Sequence, residues 1–219
     1  MTPLLLVLSS PSGGGKSTIA RRLLERRTDL GYSVSATTRS PRGGEQDGTH
    51  YHFLARAEFE RRVAAGDFLE WATYGGNLYG TLRAEIDRLH AGGRHAVLDI
   101  EVEGARQLRR SYPQAVHVFI LPPSAPILLE RLTGRGTESP EVIATRLRHA
   151  VDELGAIGEY DFVVRNDDLD TAVAQVAAII EAESCRLARQ ELLPRLAARL
   201  AEELRQELDG SAAGAARAG

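Results

Sequence analysis

Short apolar runs alternate along the chain with longer segments in which apolar residues recur every three or four positions. The runs at 4–8, 96–100, 116–121 and 162–164 are apolar almost throughout, which is typical of parallel strands covered on both faces. The segments between them have the periodicity of amphipathic helices. This alternation predicts an α/β fold, with a parallel sheet flanked by helices.

The stretch 35–81 interrupts the alternation, because it consists mainly of short strand-like segments and polar turns. It contains a helical segment at 56–65 that ends at Gly66, and a hairpin-type turn at 75–77. Thr81 is a suitable N-cap for the helix that follows. We expect this stretch to be a small, mixed antiparallel insert that can move relative to the core.

The pattern divides the chain into a core, an insert, a lid and a C-terminal extension. Pro194 predicts a break in the last helical segment, and the Gly/Ala-rich end predicts disorder. The expected ranges are 1–34, 82–124 and 151–185 for the core, 35–81 for the insert, 125–150 for a helical lid, 186–209 for a helical extension and 210–219 for a disordered tail.

A glycine-rich loop follows the first apolar run and precedes a helical segment. It reads Ser10-Pro11-Ser12-Gly13-Gly14-Gly15-Lys16-Ser17-Thr18. This matches the phosphate-binding pattern G-x-x-x-x-G-K-[ST], except that serine occupies the first position. Such a loop surrounds phosphate oxygens with backbone N–H groups, and the helix adds its positive N-terminal end. The pattern predicts a nucleoside triphosphate site in which Lys16 reaches the β- and γ-phosphates and Ser17 binds Mg²⁺.

The scarcity of lysine supports a special role for Lys16. Of the 27 basic residues, it is the one lysine; all the others are arginine. A single lysine in a chain that otherwise uses arginine indicates a site that needs a compact ammonium group and cannot accommodate a planar guanidinium group.

A second cationic segment lies in the insert, where Arg39 and Arg42 flank Pro41. Two neighbouring guanidinium groups suit a phosphate monoester dianion, and the Tyr51 hydroxyl could complete such a cage. Taken alone, the segment favours the simpler interpretation of two solvated loop arginines.

The ordered motifs together resemble the guanylate kinase family over roughly residues 4–185. They are Thr37-Thr38-Arg39-Ser40-Pro41-Arg42, Phe68-Leu69-Glu70-Trp71-Ala72, Gly76-Asn77-Leu78-Tyr79-Gly80-Thr81, Leu98-Asp99-Ile100 and Arg135-Gly136-Thr137-Glu138. Several blocks in order are far more specific than a phosphate-binding loop alone. The resemblance implies a P-loop NTPase-type fold and transfer of the γ-phosphoryl group of ATP to GMP with Mg²⁺.

The resemblance also implies roles for individual residues. Glu70 and Thr81 match residues that read the guanine edge, which agrees with the chemistry, because a carboxylate can accept from guanine N1–H and N2–H₂. Asp99 matches a residue that organises Mg²⁺ and borders GMP. The remaining matches are Ser35, Arg39, Arg42, Tyr51 and Tyr79 for the GMP phosphate, and Arg131, Arg135 and Arg146 for the ATP phosphates. The sequence departs from the family pattern at Glu101 and Glu103, where Asp and Gln are usual. Asn166 and Asp168 follow the last predicted strand, and we expect them to border the adenine.

The bulk properties restrict the partners. The formal net charge is −3, which does not favour nucleic acid or an anionic membrane. The single cysteine, Cys185, allows no intrachain disulfide and fits the cytoplasm; we expect it to be half-buried in a helix. The resemblance implies GMP, dGMP and ATP as partners, with a homo-oligomer left open.

Three rival functions deserve comparison. A kinase acting on a ribose bisphosphate would have no use for the guanine-reading pair Glu70 and Thr81. A phosphopeptide-binding scaffold of this family would lack the phosphate-binding loop that Lys16 marks. A GTP-hydrolysing switch would require an Asn-Lys-x-Asp motif, which a chain with one lysine does not contain.

Overall fold

The computed structural model describes residues 2–133, 140–190 and 192–217. The strands are β1 (Leu5–Ser9), β2 (Leu30–Tyr32), β3 (Ala36–Thr37), β4 (His52–Phe53), β5 (Phe68–Tyr74), β6 (Asn77–Leu82), β7 (His95–Asp99), β8 (Val116–Leu121) and β9 (Phe162–Arg165). The helices are α1 (Lys16–Arg26), α2 (Arg56–Ala65), α3 (Arg83–Ala91), α4 (Val102–Ser111), α5 (Ala125–Thr133), α6 (Pro140–Gly155), α7 (Leu169–Ser184) and α8 (Leu192–Arg217). Short 3₁₀ helices occupy Ala156–Glu159 and Leu187–Arg189.

Two sheets organise these elements. The central sheet is parallel throughout, with the strand order β2-β7-β1-β8-β9. The second sheet is mixed, with the order β4-β3-β6-β5. The predicted fold class is therefore confirmed: a parallel sheet is flanked by helices and joined to a small mixed sheet. The sequence-based reading missed β2 as a core strand, because its three residues are too few to show a pattern.

The central strand β1 explains how the core is built. All five of its residues are buried, and successive side chains point to opposite faces of the sheet. Leu6 and Leu8 pack in a cluster with residues of α1 and α7. Leu5 and Val7 pack in a second cluster with residues of α3 and α4. A continuous apolar run therefore satisfies both faces at once, as the sequence predicts.

The register of the central sheet positions the chemistry. Leu8 of β1 pairs with Asp99, the last residue of β7, and the glycine-rich loop begins directly after β1. On the other side of β1, the backbone N–H of Asn166, just after β9, donates to the carbonyl of Leu121 (2.8 Å). Parallel strands end at the same edge, so these residues meet at the carboxyl edge of the sheet.

The mixed sheet has its own small core, in which the ring of Phe59 on α2 stacks on Phe68 with a centroid distance of 4.3 Å. Phe59 is completely buried. Glu70 on β5 pairs with Thr81 on β6, so two residues eleven positions apart become neighbours. Thr81 does not cap α3, contrary to the sequence-based expectation: it lies within β6, and its hydroxyl donates to Glu70 instead.

The C-terminal region also differs from expectation. Helix α8 continues to Arg217, whereas the sequence predicts a disordered tail from residue 210. Pro194 lies in the first turn of α8, where its missing N–H breaks no helical hydrogen bond, and the chain is interrupted earlier, around Leu187–Arg189. Cys185 is exposed at the end of α7, not half-buried. Among the described helices, none has the length and apolar character needed to cross a membrane.

Replacing Phe59 with alanine should destabilise the insert. The loss of a fully buried ring and its stacking partner is expected to lower the free energy of unfolding by about 3–5 kcal/mol. Urea unfolding of the variant beside Phe59→Leu, which retains much of the apolar volume, measures this effect. Equal losses in both variants would contradict the proposed packing.

Candidate active site

The glycine-rich loop connects β1 to α1 and ends at Gly15, which has a φ of 100°. This left-handed conformation is accessible to glycine and strained for other residues. No non-glycine residue in the described ranges has a positive φ, so Ser10 fits its position at the start of the motif without strain. The departure from the usual glycine therefore leaves the loop intact.

Lys16 opens α1 and lies between two carboxylates. Its Nζ donates to Oε1 of Glu101 at 2.9 Å and is 3.6 Å from Oδ1 of Asp99. Burial by itself lowers the pKa of Lys16, but the charges of Glu101 and Asp99 outweigh that effect and raise the pKa above its usual range. The ammonium group is therefore a permanent cation.

Asp99 lies between Lys16 and Ser17. The Ser17 hydroxyl donates to Oδ2 of Asp99. Burial raises the pKa of Asp99, and the neighbouring Lys16 and Ser17 partly offset that rise. A hydroxyl and a carboxylate at this edge form a set of hard oxygen donors.

A carboxylate pair that the sequence did not reveal completes this region. Glu153 on α6 accepts from the backbone N–H of Ser12 at 3.3 Å and is hydrogen-bonded to Glu101. Burial and the neighbouring Glu101 raise the pKa of Glu153 to about 8. Burial raises the pKa of Glu101 as well, but the charge of Lys16 and the hydrogen bonds with Glu153 and Lys16 together lower it below its usual range. The two pKa values are therefore shifted in opposite directions, and Glu101, beside Lys16, is the stronger acid of the pair.

A cavity of about 750 Å³ opens beside the loop. Two side chains contact the loop from across this cavity: Nη1 of Arg131 lies 3.4 Å from the Gly13 carbonyl, and Nδ2 of Asn166 donates to the Gly14 carbonyl at 3.0 Å. The cavity is lined by Ser10, Gly13, Gly15, Lys16, Ser17, Thr18, Arg131, Asn166, Asp167, Asp168 and Leu169.

The other two predicted lid arginines are Arg146 and Arg135, of which the structure describes the first. Nη2 of Arg146, on α6, lies 3.4 Å from the hydroxyl of Ser12, so this arginine does reach the loop. Arg135 lies outside the described residues.

A second cavity, of about 310 Å³, lies between the insert and the core. It gathers seven of the eight predicted substrate residues, namely Ser35, Arg39, Arg42, Tyr51, Glu70, Tyr79 and Asp99. Thr81 is fully buried behind the wall, where its hydroxyl donates to Oε1 of Glu70 at 2.6 Å. Glu101, noted in the sequence as a departure from the family pattern, also lines this cavity, and so do Tyr74, Ile100 and Gly104, which the sequence analysis did not assign to it.

Glu70 is a buried acid at the inner end of the second cavity. Burial raises its pKa to about 7, and the hydrogen bonds from Thr81 oppose that rise. Gly104 on α4 faces this carboxyl group, and a Cβ atom at position 104 would lie 2.6 Å from Oε2 of Glu70. Only a glycine at this position leaves space for the carboxyl group. A buried acceptor beside open space is suited to a ligand that presents N–H donors.

Arg39 is preorganised by an acid in its own loop. Its two terminal nitrogens donate to the two oxygens of Glu45 at 2.9 and 2.8 Å, and the backbone N–H of Arg42 also donates to Glu45. The Arg39 guanidinium lies over the Tyr51 ring, 5.3 Å from its centroid. Hydrogen bonds from Arg39 lower the pKa of Glu45 to about 2. Glu45 thus occupies the bidentate position that a phosphate could take.

The two cavities share a wall. Asp99 and Glu101 line the second cavity, and both lie within 3.6 Å of the Lys16 ammonium group that lines the first. Glu70 and the two insert arginines therefore face the same cleft as the glycine-rich loop.

This fold and this paired site define a P-loop NTPase-type protein with two adjoining polar cavities. The guanylate kinase family model matches residues 2–183. The chain is 50% identical over 186 residues to a guanylate kinase of Symbiobacterium thermophilum, covering 85% of this chain and 88% of the relative. It is 50% identical over 200 residues to a guanylate kinase of Chelativorans, covering 91% and 92%. The crystal structure of guanylate kinase from Anaplasma phagocytophilum superposes with a TM-score of 0.72 at 33% identity, covering 89% of this chain and 93% of that one. The chain belongs to the guanylate kinase family.

The Glu70 carboxyl should leave a signature in the pH dependence of stability. Its pKa is about 7 in the folded protein and about 4.5 when unfolded, so the folded state holds the proton more tightly. Its contribution to stability is then fully present below pH 4.5 and is lost as the pH rises to 7, by an amount on the order of 3 kcal/mol. We expect Glu70→Gln to gain stability over the parent protein between pH 4.5 and 7, as measured by urea unfolding. A stability difference that does not vary with pH would contradict this assignment.

Proposed function

We propose that this protein is a guanylate kinase that transfers the γ-phosphoryl group of ATP to GMP, giving ADP and GDP. The observation that carries the proposal is the buried acceptor Glu70, at the inner end of an arginine-lined cavity that adjoins Lys16. Family membership supports the reaction class, and the local geometry supports the choice of substrate.

In this proposal, the second cavity binds GMP. Guanine offers N1–H and N2–H₂ to the carboxylate of Glu70, whereas adenine has an unprotonated N1 and no 2-amino group. A wrong base would leave a buried charge unpaired, which gives strong discrimination. The phosphate is assigned to Arg39, Arg42, Ser35, Tyr51 and Tyr79, with its oxygens displacing Glu45 from Arg39. The 2′-hydroxyl of the ribose is not part of this scheme, so dGMP is proposed as an acceptor too.

The larger cavity is proposed to bind ATP. The loop from Ser10 to Thr18 would surround the phosphates, and Lys16 would leave Glu101 to contact the β- and γ-phosphates. Arg131 and Arg146 already lie next to the loop, which supports their assignment to the ATP phosphates. Arg135 is assigned to the same role by its motif alone. The adenine is proposed to lie near Asn166 and Asp168.

The donor set at the carboxyl edge fits Mg²⁺. The Ser17 hydroxyl and the Asp99 carboxylate are hard oxygen ligands, and Mg²⁺ in nucleotide sites takes few protein ligands beside phosphates and water. We assign Ser17 and Asp99 as the residues that would hold it, with Asp99 acting partly through water. The ion would supply charge neutralisation at the transferring phosphoryl group.

The chemistry that follows is in-line transfer without a general base. The GMP phosphate is largely dianionic near pH 7, since its second pKa is about 6, so the acceptor oxygen needs no deprotonation. The protein's contribution is to align the two phosphates and to stabilise charge with Lys16 and the arginines. Closure of the insert and the lid over the cleft would exclude water, which otherwise competes as an acceptor. The substrates and the single cysteine support a cytoplasmic location.

An ADP-release assay across GMP, dGMP, AMP, UMP, CMP and a ribose bisphosphate tests the substrate. We expect GMP to be preferred over AMP by about 10³-fold or more in kcat/KM, because a pocket built for N–H donors rejects a base that lacks them. Glu70→Gln should lose most of this preference, with a smaller effect on ATP hydrolysis in the absence of acceptor. Comparable turnover of AMP by the parent protein would refute the guanine assignment.

Removing the Lys16 ammonium should separate transfer from acceptor binding. In Lys16→Ala we expect kcat to fall by about 10³-fold or more, because the cation that stabilises the transferring phosphoryl group is lost. GMP binding, measured by calorimetry, should remain, because Lys16 does not line the GMP cavity. Lys16→Arg serves as a matched control, which retains the charge but cannot place a compact ammonium group. Full activity in the alanine variant would remove the phosphate-loop assignment.

A further inference from the structure

Helix α8 lies beyond the family model, which ends at residue 183, and carries an exposed row of leucines. The side chains of Leu193, Leu196, Leu200 and Leu204 are 53%, 39%, 48% and 65% exposed. Their spacing of three and four residues places them on one face of the helix. Leu192 and Leu208 extend the apolar surface at its two ends. An exposed leucine face of this length is unfavourable in water, which indicates a partner surface.

Charged side chains flank the leucine row of α8 or lie opposite to it, and they remain exposed to solvent. Arg199 forms an ion pair with Glu203 at 3.6 Å, and Arg205 forms one with Glu202 at 3.2 Å. All four of these side chains are about two-thirds exposed. The helix is therefore amphipathic, with an apolar face suited to burial and a charged surface suited to solvent, which is the pattern of a helix in a pair or bundle.

The segment that precedes α8 is attached to the core, at the edge opposite to the active site. The Arg189 carbonyl accepts from the backbone N–H of Thr2 at 2.9 Å, and the Arg189 guanidinium donates to the Gln114 carbonyl at 2.7 Å. Thr2 precedes the amino end of β1, whereas the glycine-rich loop follows its carboxyl end. A partner bound to α8 near this attachment point would leave the nucleotide cavities accessible.

The charges along α8 indicate which partner fits. The sequence from 192 to 201 contains Arg195 and Arg199 and no acid, whereas 202–209 contains four acids against one arginine. Basic residues in the first half and acidic residues in the second half are the unfavourable arrangement for a helix dipole. A second helix of the same sequence, placed antiparallel, sets acids beside the basic half and arginines beside the acidic half. It also opposes the two dipoles and brings leucine rows face to face.

We propose that α8 is a dimerisation helix that pairs antiparallel with α8 of a second copy of this chain. The leucine row forms the buried seam, and the basic and acidic halves select the partner and its orientation. A membrane is the less suitable occupant, since the sequence of α8 contains four acids and four arginines and has no aromatic residue to lie at a lipid interface. The seam from 192 to 208 is only about 24 Å long, so we expect a dissociation constant of roughly 1–100 µM.

Sedimentation velocity of the full chain at 1–300 µM tests the proposal. We expect the weight-average mass to rise from monomer toward dimer across this range. Leu200→Glu, at the centre of the seam, should remain monomeric at the highest concentration. Ala198→Glu adds the same charge two positions away on the opposite, exposed face, so it is the matched control and should still dimerise. Turnover per chain should be unchanged in both variants, which also shows that the core is folded.

Charge reversal tests the orientation and the identity of the partner. Arg195→Glu/Arg199→Glu and Glu202→Arg/Glu203→Arg should each weaken self-association at least tenfold, because each opposes like charges in an antiparallel pair. An equimolar mixture of the two variants should recover a dimer. The ion pairs within each helix remain disrupted when the two variants are mixed. Recovery of the dimer can therefore come only from contacts between the chains.

Three results would overturn the proposal. The first is a monomer at all concentrations up to 300 µM, which would mean that α8 packs on its own core or serves another partner. The second is a dimer that persists in Leu200→Glu, which would place the interface elsewhere. The third is a monomer that co-floats with vesicles of phosphatidylcholine and phosphatidylserine in a manner abolished by Leu200→Glu, which would assign the face to lipid. None of these outcomes affects the kinase assignment, which depends on separate activity measurements.

Discussion

The ion cluster formed by Lys16, Asp99 and Glu101 is the interaction on which the arrangement of the cleft depends. It exists because Leu8 pairs with Asp99 across parallel strands, so the end of β7 lies beside the loop that follows β1. The cluster also forms the wall common to the two cavities. A shift of one residue in this register would separate the ammonium group from its carboxylates and turn Asp99 to the other face of the sheet.

Acids occupy several of the donors that the proposed substrates would use. Glu101 accepts a hydrogen bond from the Lys16 ammonium group, Glu153 accepts one from the backbone N–H of Ser12, and Glu45 accepts one from the Arg39 guanidinium group. Each pairing keeps a donor oriented at low cost, because a buried or half-buried cation without a partner would be expensive. Anionic ligands then exchange one set of charge-assisted hydrogen bonds for another, instead of ordering loose side chains.

The predictable part of the site consists of residues whose role depends on nearby sequence. The glycine-rich loop, Lys16 and Ser17 were identifiable because a phosphate-binding loop is a local structure. Glu70, Arg39 and the other insert residues needed the additional information of family motifs. Glu153 was missed because it is far along the chain from both Ser12 and Glu101 and reaches them only when α6 packs across the loop. Glu45 was not singled out either, because its pairing with Arg39 depends on how the loop between them folds.

The sequence by itself determined the alternating strands and helices, the loop and the acid at the end of β7, since each follows from periodicity or a short motif. The tertiary structure decided which of those elements meet. It turned Thr81 from an expected helix cap into the buried partner of Glu70, because pairing between β5 and β6 outweighs a local preference for capping. Helix α8 also extends to Arg217, through a segment for which the Gly/Ala-rich composition predicts disorder. Burial and the contacts between distant residues depend on packing, and no local pattern encodes them.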